Sequence, residues 1–201
     1  MKKTAILLSL MVLLSIATLA QNSEKAYSLV AHVGGGSGSF PFLVGDMTTS
    51  HRIAALGIDG KYDFAEHWSL LVGLDYQFWY FKGYYIHSDP DGVENHPYTA
   101  TGHIVRLPIR LEYHKRWFYL AFGPYLEKAF GDVSAGSIKE IATLGPTMEI
   151  GGRIRLSDHG QLRIGLQTSV GATLSIGYHN ELFFGRVEAN ALLRIGYEYH
   201  F

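Results

Sequence analysis

Near its middle the chain reads Arg106-Leu-Pro-Ile-Arg-Leu-Glu-Tyr-His-Lys-Arg-Trp-Phe-Tyr-Leu-Ala-Phe-Gly123, two runs of alternating polar and apolar residues separated by Lys115-Arg116. This alternation predicts a β-hairpin, because successive side chains of a strand point to opposite faces. With Lys115-Arg116 as a two-residue turn, His114 would pair with Trp117. One face would then be apolar, with Val105, Leu107, Ile109, Leu111, Tyr113, Phe118, Leu120, Phe122 and Leu126. The other face would be polar, with Arg106, Arg110, Glu112, His114, Tyr119, Tyr125 and Glu127.

The same alternation recurs along the chain and predicts eight strands, at 26–38, 51–63, 68–82, 101–114, 117–130, 143–156, 161–174 and 184–201. Short turns at 64–67, 115–116 and 157–160 alternate with longer loops at 39–50, 83–100, 131–142 and 175–183. Charged residues share one face, and apolar and aromatic residues cover the other, as lipid contact requires. We therefore predict an all-β fold, an eight-stranded antiparallel up-and-down transmembrane β-barrel. A soluble ligand-binding barrel would require the inverse pattern.

The N-terminus has the composition of a secretory signal peptide. Lys2 and Lys3 precede an apolar run, and Thr18-Leu19-Ala20 provides small residues before Gln21. We expect 1–20 to be a signal peptide and 21–201 to form one barrel domain in the outer membrane. Without Lys2 and Lys3, 15 of the 17 basic residues would remain against 18 acidic ones, which excludes a nucleic-acid-binding composition. The sequence contains no cysteine, so disulfides and thiol chemistry are excluded.

Two local features bear on the strand register. Asp158-His159-Gly160 suits a three-residue hairpin turn with glycine at a positive φ, which would place Ser157 opposite Gln161. Pro108 and Pro146 lie within predicted strands, although proline lacks the N–H group that a ladder needs. We expect bulges or kinks at these two prolines.

Inward-facing positions carry eight acidic and eight basic residues when Asp63 is included. An eight-stranded barrel has an interior only wide enough for side chains to fill it. Buried charges persist when they are paired, so we predict a closed ionic core without a permanent pore. The predicted interior ionic network comprises Asp59, Lys61, Asp75, Arg106, Arg110, Glu112, Glu127, Glu149, Arg153, Arg155, Arg163, Arg186, Glu188, Arg194 and Glu198.

The longest predicted loop, 83–100, is acidic and aromatic, a composition suited to binding a partner or surface ligand. Its candidate binding surface comprises Tyr84, Tyr85, His87, Asp89, Asp91, Glu94, His96 and Tyr98. These carboxylates and imidazoles could also bind a divalent cation. However, Asp89-Pro-Asp-Gly92 is an ordinary turn sequence, and the spacing lacks a full calcium-loop pattern. We therefore assign no metal site and no cofactor.

An enzymatic alternative is a lipid-modifying hydrolase with a His-x-Ser pair and an acid. The sequence offers His67-Trp68-Ser69, but this pair falls in a short turn, and Ser69 points inward by parity. We interpret it as a polar turn with Trp68 in an interfacial aromatic belt. His32, His114 and His200 also point inward and are interpreted as members of the polar core.

The central hairpin resembles the PorT-like family of small outer-membrane β-barrels, within the wider OmpA/OmpX-type barrels. The resemblance rests on Ile104-Val-Arg-Leu-Pro-Ile-Arg-Leu-Glu-Tyr113, followed by Trp117-Phe-Tyr-Leu-Ala-Phe-Gly-Pro-Tyr125. A basic residue is usual in that family where Glu112 stands. The ending Tyr197-Glu-Tyr-His-Phe201 is similar to the last strand that the family presents to the barrel-assembly machinery. The resemblance implies outer-membrane lipid and this machinery as partners.

We therefore expect a non-enzymatic outer-membrane barrel with a structural or surface-binding role through its extracellular loops. A small-solute channel or an accessory component of protein secretion is the alternative. An outer-membrane lipid-modifying hydrolase is the more distant one. A surface ligand or a secretion partner would contact the outer loops.

Overall fold

The computed structural model describes residues 27–41, 48–89, 92–130, 139–176 and 182–201. The predicted signal peptide lies outside the described residues. Eight strands make up the fold: β1 Tyr27–Pro41, β2 Thr48–Ala65, β3 Trp68–Asp89, β4 Gly92–Lys115, β5 Phe118–Phe130, β6 Lys139–Arg155, β7 Gly160–Ile176 and β8 Leu182–His200.

Each strand pairs antiparallel with its neighbours in sequence, and the sheet closes through β1 and β8. The closing ladder runs from the pair Ser28 and His200 to the pair Ser39 and Ala189. This architecture confirms the predicted eight-stranded antiparallel up-and-down barrel. We call the end that carries the β2–β3, β4–β5 and β6–β7 turns the turn end, and the opposite end the hairpin end.

Among the described residues, no helix is long and apolar enough to cross a membrane.

The two faces of the barrel wall differ in polarity as the alternation predicts. On β3, Leu70, Val72 and Leu74 face outward and are 38–48% exposed, whereas Leu71 between them faces inward and is 1% exposed. Aromatic side chains are exposed near the turn end, at Tyr62, Phe64, Trp68, Trp117, Tyr199 and Phe201. Exposed apolar residues with an aromatic girdle at the strand ends are typical of a lipid-facing surface.

The β4–β5 turn consists of Arg116 and Trp117, not Lys115-Arg116. Lys115 pairs with Phe118, and His114 pairs with Tyr119 where Trp117 was predicted. The chain turns here because Arg116 adopts a left-handed backbone with φ of 54°. The register is shifted by two residues relative to the prediction, so the paired side chains of β4 and β5 keep their predicted faces. Trp117, predicted to lie opposite His114, lies in the turn and is exposed.

The β6–β7 turn also differs from the prediction. Arg155, and not Ser157, pairs with Gln161. Gly160 is the first residue of β7 and has no positive φ; a Cβ atom there would lie 1.9 Å from the Tyr197 hydroxyl. Close contact with this aromatic ring, and not turn conformation, is therefore what favours glycine at residue 160.

The prediction of a loop at 83–100 was wrong. The β3–β4 ladder continues without interruption from the pair Phe81 and Ala100 to the pair Asp89 and Gly92. Polar side chains break the apolar alternation here, but backbone pairing does not require apolar side chains. The side chains of 81–100 lie outside those that the structure describes, and Asp91 lies outside altogether.

Proline accounts for gaps in three ladders, without the bulges that the sequence suggested. Pairing on β3–β4 skips Pro108 and then resumes in the same register. Pro124 and Pro146 pair with each other on β5–β6, while β4–β5 skips Pro124 and β6–β7 skips Pro146. Each of these prolines lacks pairing with one neighbouring strand and keeps pairing with the other. This is expected of a residue without an N–H donor.

Glycines allow a close approach of neighbouring backbones at two of these gaps. A Cβ atom at Gly123 would lie 2.0 Å from the carbonyl oxygen of Ile109. A Cβ atom at Gly145 would lie 1.9 Å from the carbonyl oxygen of Val170. Real Cβ atoms essentially never come within 3.0 Å of another heavy atom, so any larger residue must displace a strand.

Candidate functional site: the charged barrel interior

The cluster nearest the turn end is a closed ring of two cations and two carboxylates. Lys61 Nζ lies 2.7 Å from Glu198 Oε1 and 3.2 Å from Glu112 Oε1. Arg163 Nη1 donates to Glu198 Oε2 at 2.8 Å, and its Nη2 donates to Glu112. Each cation therefore contacts both carboxylates, and all four side chains are at most 5% exposed. We call these residues the lower cluster.

The middle cluster is organised by Glu149, which binds two arginines. Arg110 Nη1 lies 2.6 Å and Arg194 Nη1 2.7 Å from Glu149 Oε2. The hydroxyl of Tyr119 donates to Glu149 Oε1 at 2.6 Å. The second Nη atom of Arg110 donates to Asp59 Oδ1 at 2.5 Å. These side chains come from β2, β4, β5, β6 and β8, so the cluster ties opposite walls of the barrel together.

His32 and Asp75 complete the middle cluster. His32 Nε2 lies 2.9 Å from Asp75 Oδ1, and His32 Nδ1 lies 3.4 Å from Asp59 Oδ2. Ligand atoms of His32, Asp59 and Asp75 lie within 4.8 Å of one another, a spacing that could hold a metal ion. However, Arg194 contacts the same two aspartate oxygens and His32, and Arg110 contacts the other carboxylate oxygen of Asp59. Two guanidinium groups therefore already supply the positive charge that a metal would bring.

The upper cluster, toward the hairpin end, is built around Arg106. Its Nε donates to Glu127 Oε2 at 2.8 Å, and its Nη1 donates to Ser169 Oγ at 3.1 Å. Glu188 Oε1 lies 3.9 Å from Nη2, and the guanidinium carbon lies 4.1 Å from the centre of the Tyr125 ring. Planar guanidinium groups stack on aromatic faces in this way when they are desolvated.

An apolar cluster lies among the inward-facing residues and was not anticipated from the sequence. It comprises Ile53, Trp79, Ile104 and Leu192, each at most 6% exposed. Trp79 lies two residues beyond the inward-facing Gln77 on β3, and Ile104 lies two residues from the inward-facing Arg106 on β4. The alternation of side chains along each strand could therefore have predicted that both face inward.

Little free volume remains inside the barrel at the middle cluster. A cavity of about 10 Å³ is bordered by Val30, His32, Asp59, Tyr119, Glu149, Arg163, Arg194 and Gly196. At this cavity the side chains of the middle cluster therefore leave room for about one water molecule.

Two members of the predicted ionic network, Arg153 and Arg155, do not lie in this buried set. Arg155 is exposed and forms a 2.8 Å ion pair with Asp158, because the strand reaches the rim at this residue. Arg153 is half-buried, and its Nη2 donates to the carbonyl oxygen of Arg116 at 3.3 Å. The side chain of Arg186 lies outside the described ones. The buried charges within the described portion comprise seven acids and five bases, and the balance of eight and eight over all inward-facing positions stays a prediction.

The structure brings two serine–histidine pairs together at the turn end. Ser69 Oγ donates to Asp63 and lies 3.2 Å from His114 Nδ1, whereas His67 points elsewhere, 3.8 Å from Glu66. Ser69 is fully buried, so its hydroxyl cannot meet a lipid substrate. The prediction that Ser69 faces inward therefore agrees with its position.

The second pair was missed by sequence reasoning, because its members are 172 residues apart. Ser28 Oγ lies 2.8 Å from His200 Nδ1, and His200 Nε2 lies 3.7 Å from Glu198 Oε1. This order resembles a hydrolytic triad. However, Ser28 is 1% exposed, and Glu198 is already bound by Lys61 and Arg163, so neither residue is available for catalysis.

The predicted loop surface maps onto the β3–β4 hairpin. Its residues pair across the ladder, Tyr84 with Pro97, Tyr85 with His96 and His87 with Glu94. Asp89, the last residue of β3, pairs with Gly92, and Tyr98 pairs with Gly83. Paired residues of this kind belong to a regular ladder and not to an irregular metal-binding loop.

Solved outer-membrane proteins share this fold. The outer membrane protein OprG from Pseudomonas aeruginosa is 14% identical with a TM-score of 0.58, covering 90% of this chain and 98% of OprG. AlkL, solved in DMPC lipid bilayers, is 14% identical with a TM-score of 0.54, covering 90% of this chain and 92% of AlkL. No family model and no curated protein matches the chain. The likeness establishes the fold of small eight-stranded outer-membrane barrels, and the narrower PorT-like assignment stays a prediction.

Proposed function

We propose that this chain is a closed, non-enzymatic outer-membrane β-barrel that binds a partner outside the cell through its β3–β4 hairpin. The observation that carries the proposal is the length of this hairpin. Among the described residues, the last pair of β2 with β3 is His51 with Phe81, and the last pair of β4 with β5 is His103 with Phe130. Eight further pairs, from Lys82 with Thr99 to Asp89 with Gly92, extend the hairpin beyond both neighbours. At about 3.4 Å per residue it projects roughly 25 Å.

The exposed apolar wall supports a position of the barrel in a membrane. The connections between the strands indicate which end of the barrel faces the periplasm. Both described chain ends, Tyr27 and Phe201, lie at the turn end with the three short turns. Short turns face the periplasm in outer-membrane barrels, whereas long extensions face outward. The β3–β4 hairpin therefore points away from the cell. Export by the signal peptide 1–20 and assembly through the strand that ends at Phe201 are parts of this proposal.

The hairpin offers backbone groups for recognition. Within the described parts of the chain, residues 82–89 and 92–99 pair only with each other, so the outer edge of each strand keeps unpaired N–H and C=O groups. An extended segment of another protein can add to such an edge as a further strand. A binding surface on 83–100 would therefore use main-chain pairing as well as side chains.

Deletion of Ser88–Asn95 tests the hairpin. The deletion leaves Tyr85 opposite His96 with Ile86 and His87 as a two-residue loop, so the register below it is retained. A photo-crosslinking amino acid at Lys82 is expected to capture an external partner on intact cells, and the deletion is expected to abolish this adduct. The same label at His159, on the opposite end of the barrel, is the control. An undiminished adduct after the deletion would move the site elsewhere.

A second prediction, based on the filled interior, distinguishes the proposed binding function from a small-solute channel. We expect the refolded mature protein to show no conductance steps in a planar bilayer, because the ionic clusters fill the interior. Altered gel mobility on heating would show that the silent protein is folded. Reproducible open steps would favour a small-solute channel. An accessory role in protein secretion, which the PorT-like resemblance implies, is the other alternative to this proposal.

A further inference from the structure

The two outer edges of the β3–β4 hairpin present different backbone groups. We propose that the β3 edge, defined as the backbone of Lys82, Tyr84, Ile86 and Ser88, binds an extended basic segment of another protein as an added strand. This inference rests on the proposed function, because it requires the hairpin to project outside the cell. It names the edge that recognises the partner and the kind of segment that fits.

A proline gap reveals the direction in which each residue of β4 points its backbone groups. Along an antiparallel strand, every second residue points its N–H and C=O toward one neighbouring strand, and the residues between them point toward the other. The β3–β4 ladder is missing at Pro108, whereas Pro108 still pairs with Tyr125 on β5. The nitrogen of Pro108, which carries no hydrogen, therefore faces β3. Even-numbered residues of β4 accordingly face β3, and odd-numbered residues face away from it.

The outer edge of β4 is interrupted by Pro97. The β3–β4 register continues unbroken from Arg106 to Gly92, so the alternation found at Pro108 extends along the hairpin. Residue 97 is odd-numbered, and its nitrogen therefore faces away from β3. The other backbone positions on this edge belong to Val93, Asn95 and Thr99. A proline among them removes a donor, which hinders the addition of another strand at the β4 edge.

The β3 edge has no such interruption. Residues that lie opposite each other point their backbone groups alike, so Tyr84, opposite Pro97, and Ile86, opposite Asn95, face away from β4. Lys82 and Ser88 follow the same alternation, and no proline occurs at 82–89. Among the described residues, β2 pairs with β3 no further than Phe81. The β3 edge therefore offers an uninterrupted row of donors and acceptors to an added strand.

The charge of the hairpin selects the kind of segment. Residues 82–99 contain one basic residue, Lys82, and three acidic residues, Asp89, Asp91 and Glu94. A segment rich in lysine or arginine complements this excess of negative charge. A second copy of this chain fits less well, because it would carry the same excess. In the same membrane its β3 would also run in the same direction, which allows only the less stable parallel pairing.

Proline substitutions on one rung of the hairpin test which edge binds. Ile86 and Asn95 lie opposite each other, and the hairpin ladder uses the N–H group of neither. With the photo-crosslinking label at Lys82 on intact cells, we expect Ile86→Pro to reduce the adduct about tenfold, because it removes a donor from the β3 edge. Asn95→Pro is the matched control and is expected to leave the adduct unchanged. Ile86→Ala, which keeps the N–H group, is also expected to retain it.

Competing peptides test the kind of segment. An octapeptide of alternating threonine and lysine is expected to reduce the adduct at Lys82. The same peptide with every peptide nitrogen methylated keeps its charge but has no backbone donors, and we expect it to have no effect. Equal competition by an octapeptide of alternating threonine and glutamate would overturn the basic segment.

The remaining outcomes separate this inference from the proposed function. Equal effects of Ile86→Pro and Asn95→Pro, or a loss from Asn95→Pro alone, would overturn the assignment to the β3 edge. If neither proline changes the adduct while deletion of Ser88–Asn95 abolishes it, the hairpin binds its partner without an added strand, and the proposed function stands. An adduct that survives the deletion would instead contradict the proposed function.

Discussion

Arg110→Leu is expected to lower the free energy of unfolding by about 3 to 5 kcal/mol. Arg110 is 1% exposed and contacts both Asp59 and Glu149, at 2.5 and 2.6 Å. Leucine is smaller and has no donor, so Asp59 and Glu149 would each lose one of their two guanidinium partners and keep only Arg194. The cost therefore combines uncompensated negative charge with some lost packing. Unfolding in urea, followed by heat-modifiable gel mobility in lipid vesicles, measures the change.

Arg155→Leu is the matched control for this measurement. Arg155 also pairs with an aspartate, but its side chain is 73% exposed and that of Asp158 is 88% exposed. Solvent screens such a pair, so the expected change is below about 1 kcal/mol. Similar midpoints for Arg110→Leu and the unchanged protein would show that the middle cluster contributes no net stability.

Gly145→Ala is expected to destabilise the barrel by roughly 1 to 3 kcal/mol, although it adds only one methyl group. The new Cβ atom would lie 1.9 Å from the carbonyl oxygen of Val170 and 2.6 Å from Cα of Gly171. Both obstacles are backbone atoms, so relief requires movement of β6 away from β7. The same urea titration detects the loss, and slower acquisition of the heat-modifiable form would show impaired closure.

Gly35→Ala provides the comparison. A Cβ atom at Gly35 meets only the carbonyl oxygen of Ile53, at an ordinary distance of 3.8 Å. Removal of glycine at an unstrained position reduces the entropy of the unfolded chain, so a small gain of up to about 1 kcal/mol is expected. Equal losses at Gly35 and Gly145 would mean that strand flexibility, and not close approach, requires glycine in this wall.

Side-chain parity explains why the fold was predictable from sequence. The β4–β5 and β6–β7 registers both differ from the prediction by two residues, yet Tyr113 and Leu120 still share the outer face. A period of two tolerates such a shift, whereas a shift by one residue would have reversed the wall. Face assignments are therefore more secure than turn assignments in a chain of this kind.

The alternation of side chains tells which face of the wall a residue lies on, but not how far along the barrel axis it lies. The residues whose positions were predicted wrongly show this. Arg155 has the same parity as Arg163, but it lies at the rim where water and Asp158 solvate it. Residues 83–100 have too many polar groups for a membrane strand, yet they form a ladder beyond the wall. Identifying ion pairs requires knowing which strands face each other across the interior. That arrangement depends on the stagger of the whole barrel.

The unpaired rungs at Pro108, Pro124 and Pro146 have a mechanical consequence. A closed sheet resists a change in the shape of its cross-section because interstrand hydrogen bonds continue around the whole barrel. In this barrel the hydrogen bonding has gaps on β3–β4, β4–β5 and β6–β7, whereas the described β1–β2 and β1–β8 ladders are continuous. We therefore expect lateral pressure from the bilayer to flatten the wall on the side of these three gaps before it flattens the side of the β1–β2 and β1–β8 ladders.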